Sequence, residues 1–191
     1  SSSDWKEPEG ITQIRPSTNT ISTIKTSPSD GTKLYLSCYD GSIRVLDLAS
    51  QHLSVLWVDP QEYITGIDFD STGNSLFFST GSGCVGILDV RKKNDVNPTV
   101  IQVHEKKTQC VSTNWQNPHV FCTSSLDDTV VLWDARNSFS SSVVPLRTFT
   151  QRRSVTSAYF NKQDGSKLVT TCYDDFIRFY DDILNPTRND L

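Results

Sequence analysis

One pattern of strands and turns occurs four times along this chain. Each copy has an apolar strand, a turn rich in Gly, Asp or Pro, a strand of small residues, a tight turn and a strand that closes on aspartate. The closing strands end at Asp47, Asp89, Asp134 and Asp181, about 45 residues apart. No segment keeps a 3.6-residue apolar period, so the pattern predicts a row of small antiparallel sheets with little helix.

A repeat of about 40–45 residues with four strands is typical of WD-repeat β-propellers. We therefore predict an all-β WD-repeat β-propeller with about four blades present, as part of a seven-bladed ring. The chain has no methionine, and four repeats are fewer than seven, so we expect a piece of a longer protein. A ring of four blades, closed by the N-terminal strand, is the alternative. The predicted division is an N-terminal segment (1–20), blades at 21–58, 63–103 and 109–149, an incomplete blade at 154–181, and a tail (182–191). The run Gly10–Arg15 could be the outer strand of a preceding blade, and the last strand of the third blade is predicted at Val143–Phe149.

Composition excludes several classes of function. The net charge is −4, so nucleic-acid binding would need a local basic patch. No stretch has the roughly 18 apolar residues that a membrane-spanning helix needs, and the start shows no signal peptide. The five cysteines have no CxxC spacing, which argues against zinc and disulfides and favours a reducing intracellular compartment. We expect no cofactor, no metal and no small-molecule substrate.

The third repeat carries the clearest motif, from Ser125 to Asp134. In WD repeats a buried network joins a His, a Ser or Thr, a turn Asp and a Trp, and His104, Ser125, Asp127 and Trp133 fit these places. Such a network pairs polar groups that would otherwise be buried without partners. His104, Ser125 and Asp127 also spell a hydrolase triad, but no oxyanion or nucleophile-elbow motif accompanies them. We predict a structural role and no enzyme activity.

Two segments resemble consecutive blades of one family: Pro118–Asn137 and Ser154–Asp182. It is the DNA-binding WD-repeat family that includes the small subunit of the damaged-DNA-binding complex and the changed-mutation-rate protein. Leu36–Leu48 resembles an earlier blade of the changed-mutation-rate branch. The resemblance covers roughly residues 20 to 185 and implies a protein of the nucleus that acts in DNA damage response or genome maintenance on chromatin; presence in the cytoplasm as well is the alternative.

Basic residues recur at one place in the repeat. Lys106 and Lys107 precede repeat three, and Arg152 and Arg153 precede repeat four, about one repeat length later. Equivalent loops of neighbouring blades lie on one rim, where these cations and Arg15 could attract the phosphate backbone of duplex DNA. Solvated loop charges are the alternative. The damaged-DNA-binding subunit has a basic residue where Asp174 stands here, so the resemblance implies a general DNA contact and not lesion recognition.

A second motif lies on the opposite rim. Trp133, Asp134 and Arg136 match the W-D-x-R motif by which WD-repeat substrate receptors dock on the cullin-4 ubiquitin-ligase adaptor, and Arg91 occupies the equivalent place one repeat earlier. A guanidinium suits docking because it presents several donors in a rigid fork. Pairing of each arginine with its own aspartate is the alternative. The second functional hypothesis is thus a protein-only scaffold, either a substrate receptor of a cullin-4 ubiquitin ligase or a histone-binding module.

Overall fold

Residues 12–92, 97–139 and 143–184 are described by the computed structural model, and they form four antiparallel sheets in chain order. Sheet 1 contains β1 (Ile21–Thr26), β2 (Lys33–Cys38), β3 (Ser42–Asp47) and β4 (His52–Val58). Sheet 2 contains β5 (Ile64–Phe69), β6 (Ser75–Thr80), β7 (Cys84–Asp89) and β8 (Thr99–Gln102). Sheet 3 contains β9 (Thr108–Thr113), β10 (Val120–Ser125), β11 (Thr129–Asp134) and β12 (Arg147–Thr150). Sheet 4 contains β13 (Val155–Phe160), β14 (Leu168–Cys172) and β15 (Ile177–Tyr180).

The turn between the second and third strands has the same backbone geometry in all four sheets. Its third residue has a positive φ: 79° at Gly41, 92° at Gly83, 72° at Asp128 and 66° at Asp175. Glycine adopts this conformation without steric cost, and aspartate is among the few other residues that tolerate it. The Asp-Gly, Ser-Gly and Asp-Asp pairs of the sequence thus fix where each hairpin turns.

Successive sheets pack face to face, starting from their first strands. β1 contacts β5, β5 contacts β9, and β9 contacts β13, so the first strands follow one another side by side. Apolar clusters fill the three gaps between the sheets. Phe77 and Phe78 are adjacent on β6 and point to opposite faces, yet both are buried, because sheet 2 has a neighbour on each side. This stacking of four-stranded meanders is that of a partial β-propeller of about four blades, and it confirms the predicted fold.

A buried carboxylate links the first strands of three sheets. Asp68 on β5 is 6% exposed; it lies 3.0 Å from Nζ of Lys25 on β1 and accepts a 3.0 Å hydrogen bond from the backbone N–H of Thr113 on β9. The Thr113 hydroxyl donates to the same carboxylate. A buried charge is tolerated only when it is paired and hydrogen-bonded, and Asp68 meets both conditions by using groups from both neighbouring sheets.

The structure corrects two predicted strands. Residues 12–15 form no strand; Ile14 and Pro16 instead line an apolar pocket on sheet 1 together with Ile24, while Gly10 lies outside the described residues. The last strand of sheet 3, predicted from Val143, begins at Arg147. Pro145 explains the shift, because proline has no N–H to donate to the neighbouring strand.

The structure adds one helical turn, α1 (Ala135–Ser138), after β11. Asp134 caps it by accepting a 2.9 Å hydrogen bond from the Arg136 backbone N–H. The turn brings Phe139 to within 6.0 Å of Phe121, measured between ring centres, in the cluster between sheets 2 and 3. Among the described residues no helix is long and apolar enough to cross a membrane.

The two sheets at the ends of the row expose apolar side chains. Ile24 on β1 is 54% exposed, and Ile177 and Phe179 on β15 are 62% and 75% exposed. Sheets 2 and 3 bury most of their apolar side chains against neighbours on both sides. The exposed ends are those expected of a propeller segment whose outer faces have no further blade against them.

Candidate functional surfaces

Two basic loops lie on either side of a single turn of sheet 3. The Leu126 backbone N–H donates to the Lys107 carbonyl at 3.1 Å, and the Ser154 hydroxyl donates to the Leu126 carbonyl at 2.9 Å. We call this side the upper face; it holds the loops between successive sheets and the turns between second and third strands. The structure therefore brings the Lys106–Lys107 and Arg152–Arg153 loops together, as the repeat spacing predicts.

The cations of the upper face differ in how freely they reach solvent. Lys106, Arg152 and Arg153 are exposed. Lys107 is half-buried: its Nζ lies 3.4 Å from the Tyr39 hydroxyl and 5.1 Å from the centre of the Tyr39 ring. Arg15 is exposed in the segment before β1. Three cations thus project from the two loops, while Lys107 extends toward sheet 1.

Acidic side chains on this face are largely engaged with neighbours. Arg178 donates to both carboxylate oxygens of Asp174, and this pairing holds the pKa of Asp174 well below its usual range. Asp128 accepts a 3.1 Å hydrogen bond from the Ser154 hydroxyl. Asp175 is exposed. The ion pair at Asp174 removes part of the negative field that the sequence places beside the basic loops.

The third repeat contains a continuous chain of hydrogen bonds. The Trp133 indole N–H donates to Thr123 Oγ1 at 2.9 Å, the Thr123 hydroxyl lies 2.7 Å from His104 Nε2, and His104 Nδ1 lies 2.9 Å from Asp127 Oδ2. A neutral imidazole with its proton on Nδ1 satisfies every step, because Nε2 then accepts from Thr123 and Nδ1–H donates to Asp127. Trp133 and His104 are buried, 3% and 5% exposed.

Thr123, and not Ser125, supplies the hydroxyl of this network, which corrects the prediction. The two residues are two apart on β10 and point to the same side of the strand. Ser125 lies at the end of the strand, where its hydroxyl donates to the Lys106 carbonyl at 3.3 Å and accepts from the Asp127 backbone N–H at 3.1 Å. Thr123 lies deeper, within reach of both His104 and Trp133.

The protonation states agree with this arrangement. Burial lowers the pKa of His104, against the opposing attraction of the Asp127 carboxylate, so the imidazole is neutral near pH 7. Burial alone would raise the pKa of Asp127, but hydrogen bonds from Thr129 and His104 outweigh it and lower that pKa. The pair is therefore a neutral imidazole beside an ionised carboxylate.

Sheet 4 carries a variant of the same network that sequence reasoning missed. The Gln151 side-chain amide donates to Thr170 Oγ1 at 2.7 Å, and Arg178 donates to Gln151 Oε1 at 3.2 Å and to Asp174 at 3.0 Å. Gln151 precedes Asp174 by the same interval that separates His104 from Asp127, so aligning the repeats on their turn aspartates would have found it.

The opposite side, the lower face, carries the two predicted docking arginines. Arg91 is 67% exposed at its side chain and donates to both carboxylate oxygens of Asp89 at 2.9 and 2.7 Å. Arg136 is 65% exposed and donates in the same way to Asp134 at 3.0 and 2.6 Å. Each guanidinium thus donates two of its five N–H groups to its own aspartate, and its other N–H groups can donate to a partner.

Trp133 does not belong to an exposed docking surface, contrary to its place in the predicted motif. Its ring is buried in the cluster between sheets 2 and 3, and its N–H is used by Thr123. Asp134 is 7% exposed and is occupied by Arg136 and by the cap of α1. Within the predicted docking motif, only the arginine side chains expose polar groups to solvent.

The remaining reactive side chains form no metal-binding cluster in the described part of the chain. The five cysteines are free thiols, and burial raises the pKa of Cys38, Cys110 and Cys122. Within the same ranges, no group of three or more His, Cys, Asp or Glu side chains could hold a metal ion.

Comparisons with known proteins agree with the fold. A family model described as "WD domain, G-beta repeat" matches residues 97–134. A chain in the solved structure titled "Crystal Structure of Mitotic Checkpoint Complex" superposes with a TM-score of 0.74 at 18% identity, covering 95% of this chain and 55% of that one. At this identity the likeness shows the fold alone.

Curated relatives match at higher identity. "DNA damage-binding protein CMR1" of Coccidioides immitis is 37% identical over 182 residues, and the protein of that name in Emericella nidulans is 35% identical over 177 residues; each match covers 90% of this chain. The Kluyveromyces lactis protein is 31% identical over 93% of the chain. The chain spans about a third of the length of these relatives, 34%, 33% and 37% respectively. This chain is therefore a WD-repeat propeller segment, related over nine tenths of its length to the proteins named DNA damage-binding protein CMR1.

Proposed function

We propose that this chain belongs to a non-enzymatic nuclear WD-repeat protein that binds DNA on chromatin and acts in DNA damage response or genome maintenance. The upper face would capture duplex DNA by its phosphate backbone. One observation carries the proposal: the Lys106–Lys107 and Arg152–Arg153 loops flank the same Leu126 turn, in a chain whose net charge is −4. The names of the curated relatives support the same function.

The proposed contact is general and not specific for a lesion. Loop cations that contact phosphates carry no base readout. The damaged-DNA-binding subunit carries a basic residue at the turn where this chain has Asp174. The Asp174 carboxylate is paired with Arg178 and offers no positive charge to a phosphate. A non-catalytic role is supported by His104, whose two ring nitrogens are both engaged in a structural hydrogen-bond chain.

Charge reversal on the upper face tests the proposal. We expect the variant with Lys106, Lys107, Arg152 and Arg153 all changed to Glu to bind a fluorescent 30-base-pair duplex about a hundredfold more weakly, or worse. The slope of log affinity against log salt should fall by about one for each lost phosphate contact. Fluorescence anisotropy over a salt series measures both quantities, and circular dichroism checks that the variant is folded.

The matched control reverses four cations of the lower face, Lys33, Lys92, Lys162 and Lys167, which gives the same change in net charge. It should bind more weakly than wild type by a small factor only, through long-range repulsion. Equal losses in the two variants would mean that the upper face has no special part in binding DNA. Unchanged binding in the upper-face variant would leave the protein-only scaffold as the better account.

That second candidate function, docking on the cullin-4 ubiquitin-ligase adaptor, is favoured by the two exposed guanidiniums on the lower face. Arginines at the centre of an interface often account for much of its affinity. Changing Arg91 and Arg136 to Ala should therefore reduce recovery of the purified adaptor about tenfold in a pull-down. Lys33→Ala, which removes another paired cation at the lower end of sheet 1, should have no effect; undiminished recovery with the double variant would exclude this docking surface.

A further inference from the structure

Tyr63 on the upper face is both widely exposed and held in place. It is 62% exposed and lies in the loop that leads into β5. Its carbonyl accepts a 2.9 Å hydrogen bond from the Gly81 N–H, and its ring lies so close to Gly81 that a Cβ there would be 2.9 Å from Tyr63 Cδ2. The other three sheets have Tyr39, Leu126 or Tyr173 at the place of Gly81. The missing side chain of Gly81 is what makes room for the ring.

Tyr39 supports this ring from sheet 1 and connects it to the basic loops. The two rings meet edge to face, with centres 6.3 Å apart and planes at 66°. Tyr39 also contacts Lys107, whose ammonium lies 5.1 Å from the ring centre. Tyr63 and Lys107 occupy the same place in successive loops, since their carbonyls accept equivalent hydrogen bonds from Gly81 and Leu126. An exposed aromatic ring thus stands one sheet away from the proposed phosphate-binding cations.

A second tyrosine lies on the other side of those cations. Tyr173 is 58% exposed, and its N–H donates a 3.0 Å hydrogen bond to the Ser154 carbonyl, next to Arg152 and Arg153. The upper face therefore alternates along the row of sheets: Tyr63 on sheet 2, the basic loops around sheet 3, and Tyr173 on sheet 4.

Single-stranded nucleic acid matches this alternation of rings and cations. Exposed aromatic rings stack with unpaired bases regardless of sequence, and nearby cations hold the backbone. The bases of an intact duplex are stacked on one another and do not offer their faces to Tyr63. A cationic peptide fits less well, because Lys106, Arg152 and Arg153 would repel it and Asp174 is already paired.

We infer that the upper face binds unpaired DNA, with Tyr63 stacking on an exposed base while the basic loops hold the phosphates. This inference rests on the proposed function, because it uses the same cations. It goes further by naming the form of DNA that is preferred and the side chain responsible. Tyr63 acts only where a base can leave its partner strand, as in gaps, ends and distorted duplexes.

The test compares three fluorescent probes: a 20-nucleotide single strand, the same strand in a duplex, and a strand of equal length with abasic sites. The purified protein should bind the normal single strand more tightly than the abasic one. We expect Tyr63→Ala to weaken binding of the normal strand about tenfold, with little change for the duplex and the abasic strand. Tyr63→Phe, which keeps the ring, should restore binding. Tyr159→Ala, which removes a tyrosine of similar exposure from β13, serves as the control.

The outcomes separate the inference from the proposed function. If Tyr63→Ala binds the normal single strand as wild type does, or loses all three probes equally, the stacking inference is overturned. Duplex binding that still depends on the four cations would then leave the proposed function standing. If Tyr63→Ala instead loses binding to a lysine-rich histone-tail peptide and keeps the single strand, the face recognises a peptide and the inference is wrong.

Discussion

Gly41→Ala should lower the free energy of unfolding by about 3 kcal/mol or more, enough to prevent folding if the protein is marginally stable. Gly41 has a φ of 79°, which alone costs an alanine about 1–2 kcal/mol. The larger effect is a collision. A Cβ at this position would lie 1.8 Å from the backbone oxygen of Asp59 and 2.8 Å from that of Glu62, and backbone atoms cannot rotate away.

Positive φ by itself is tolerated here, because Asp128 and Asp175 adopt it at the equivalent place in sheets 3 and 4. Gly41 differs from these residues because the loop between sheets 1 and 2 lies directly against it. The Asp59 N–H of that loop donates a 3.0 Å hydrogen bond to the Gly41 carbonyl. Gly31→Ala is the matched control, since nothing lies within 4 Å of a Cβ there, and it should change stability by less than about 1 kcal/mol. Urea unfolding followed by tryptophan fluorescence measures both; equal effects would show that the close approach at Gly41 is unimportant.

Trp133→Ala should destabilise the protein by about 3–5 kcal/mol. The substitution leaves a cavity between sheets 2 and 3, beside the buried ring of Phe121, and removes the N–H that Thr123 accepts. Trp133→Phe should cost less, about 1–2 kcal/mol, because it keeps most of the apolar contact and loses mainly the hydrogen bond. Chemical denaturation again provides the measurement.

Trp115→Ala is the control for that prediction. Trp115 is 36% exposed and contacts the Lys162 ammonium, 4.4 Å from the ring centre, on the lower face. Its loss should cost about 1 kcal/mol or less, which is typical of an exposed cation–π contact. If Trp133→Ala were no worse than Trp115→Ala, the network of the third repeat would not contribute to stability as the structure indicates.

The order of the strands could be read from the sequence because local signals specify it. The turn residues at Gly41, Gly83, Asp128 and Asp175 repeat at similar intervals of 42, 45 and 47 residues, and each lies between two strands. The last strand of sheet 3 was misplaced because Val143, Val144 and Leu146 look like a strand, while Pro145 among them interrupts backbone pairing. The prediction followed the apolar residues and gave no weight to Pro145. In the structure the strand begins only after this proline, at Arg147.

Side-chain partners were harder to predict than strands. Thr123 and Ser125 carry the same chemical group on the same side of β10, so only their depth between the sheets distinguishes them. Trp133 and Arg136 belong to one four-residue motif, yet one is buried and the other exposed. The contact between Tyr39 and Lys107 joins residues 68 apart in the sequence, which no local pattern encodes.

The Asp68 carboxylate has a consequence for how this row of sheets comes apart. If sheet 1 detached, the Asp68 carboxylate would lose its ion pair with Lys25. If sheet 3 detached, the same carboxylate would lose its hydrogen bonds from the backbone N–H and the hydroxyl of Thr113. Either event leaves a desolvated charge, whose penalty discourages partial opening. Sheets 1, 2 and 3, which would otherwise melt one after another as in a linear repeat array, are thereby coupled into one cooperative unit.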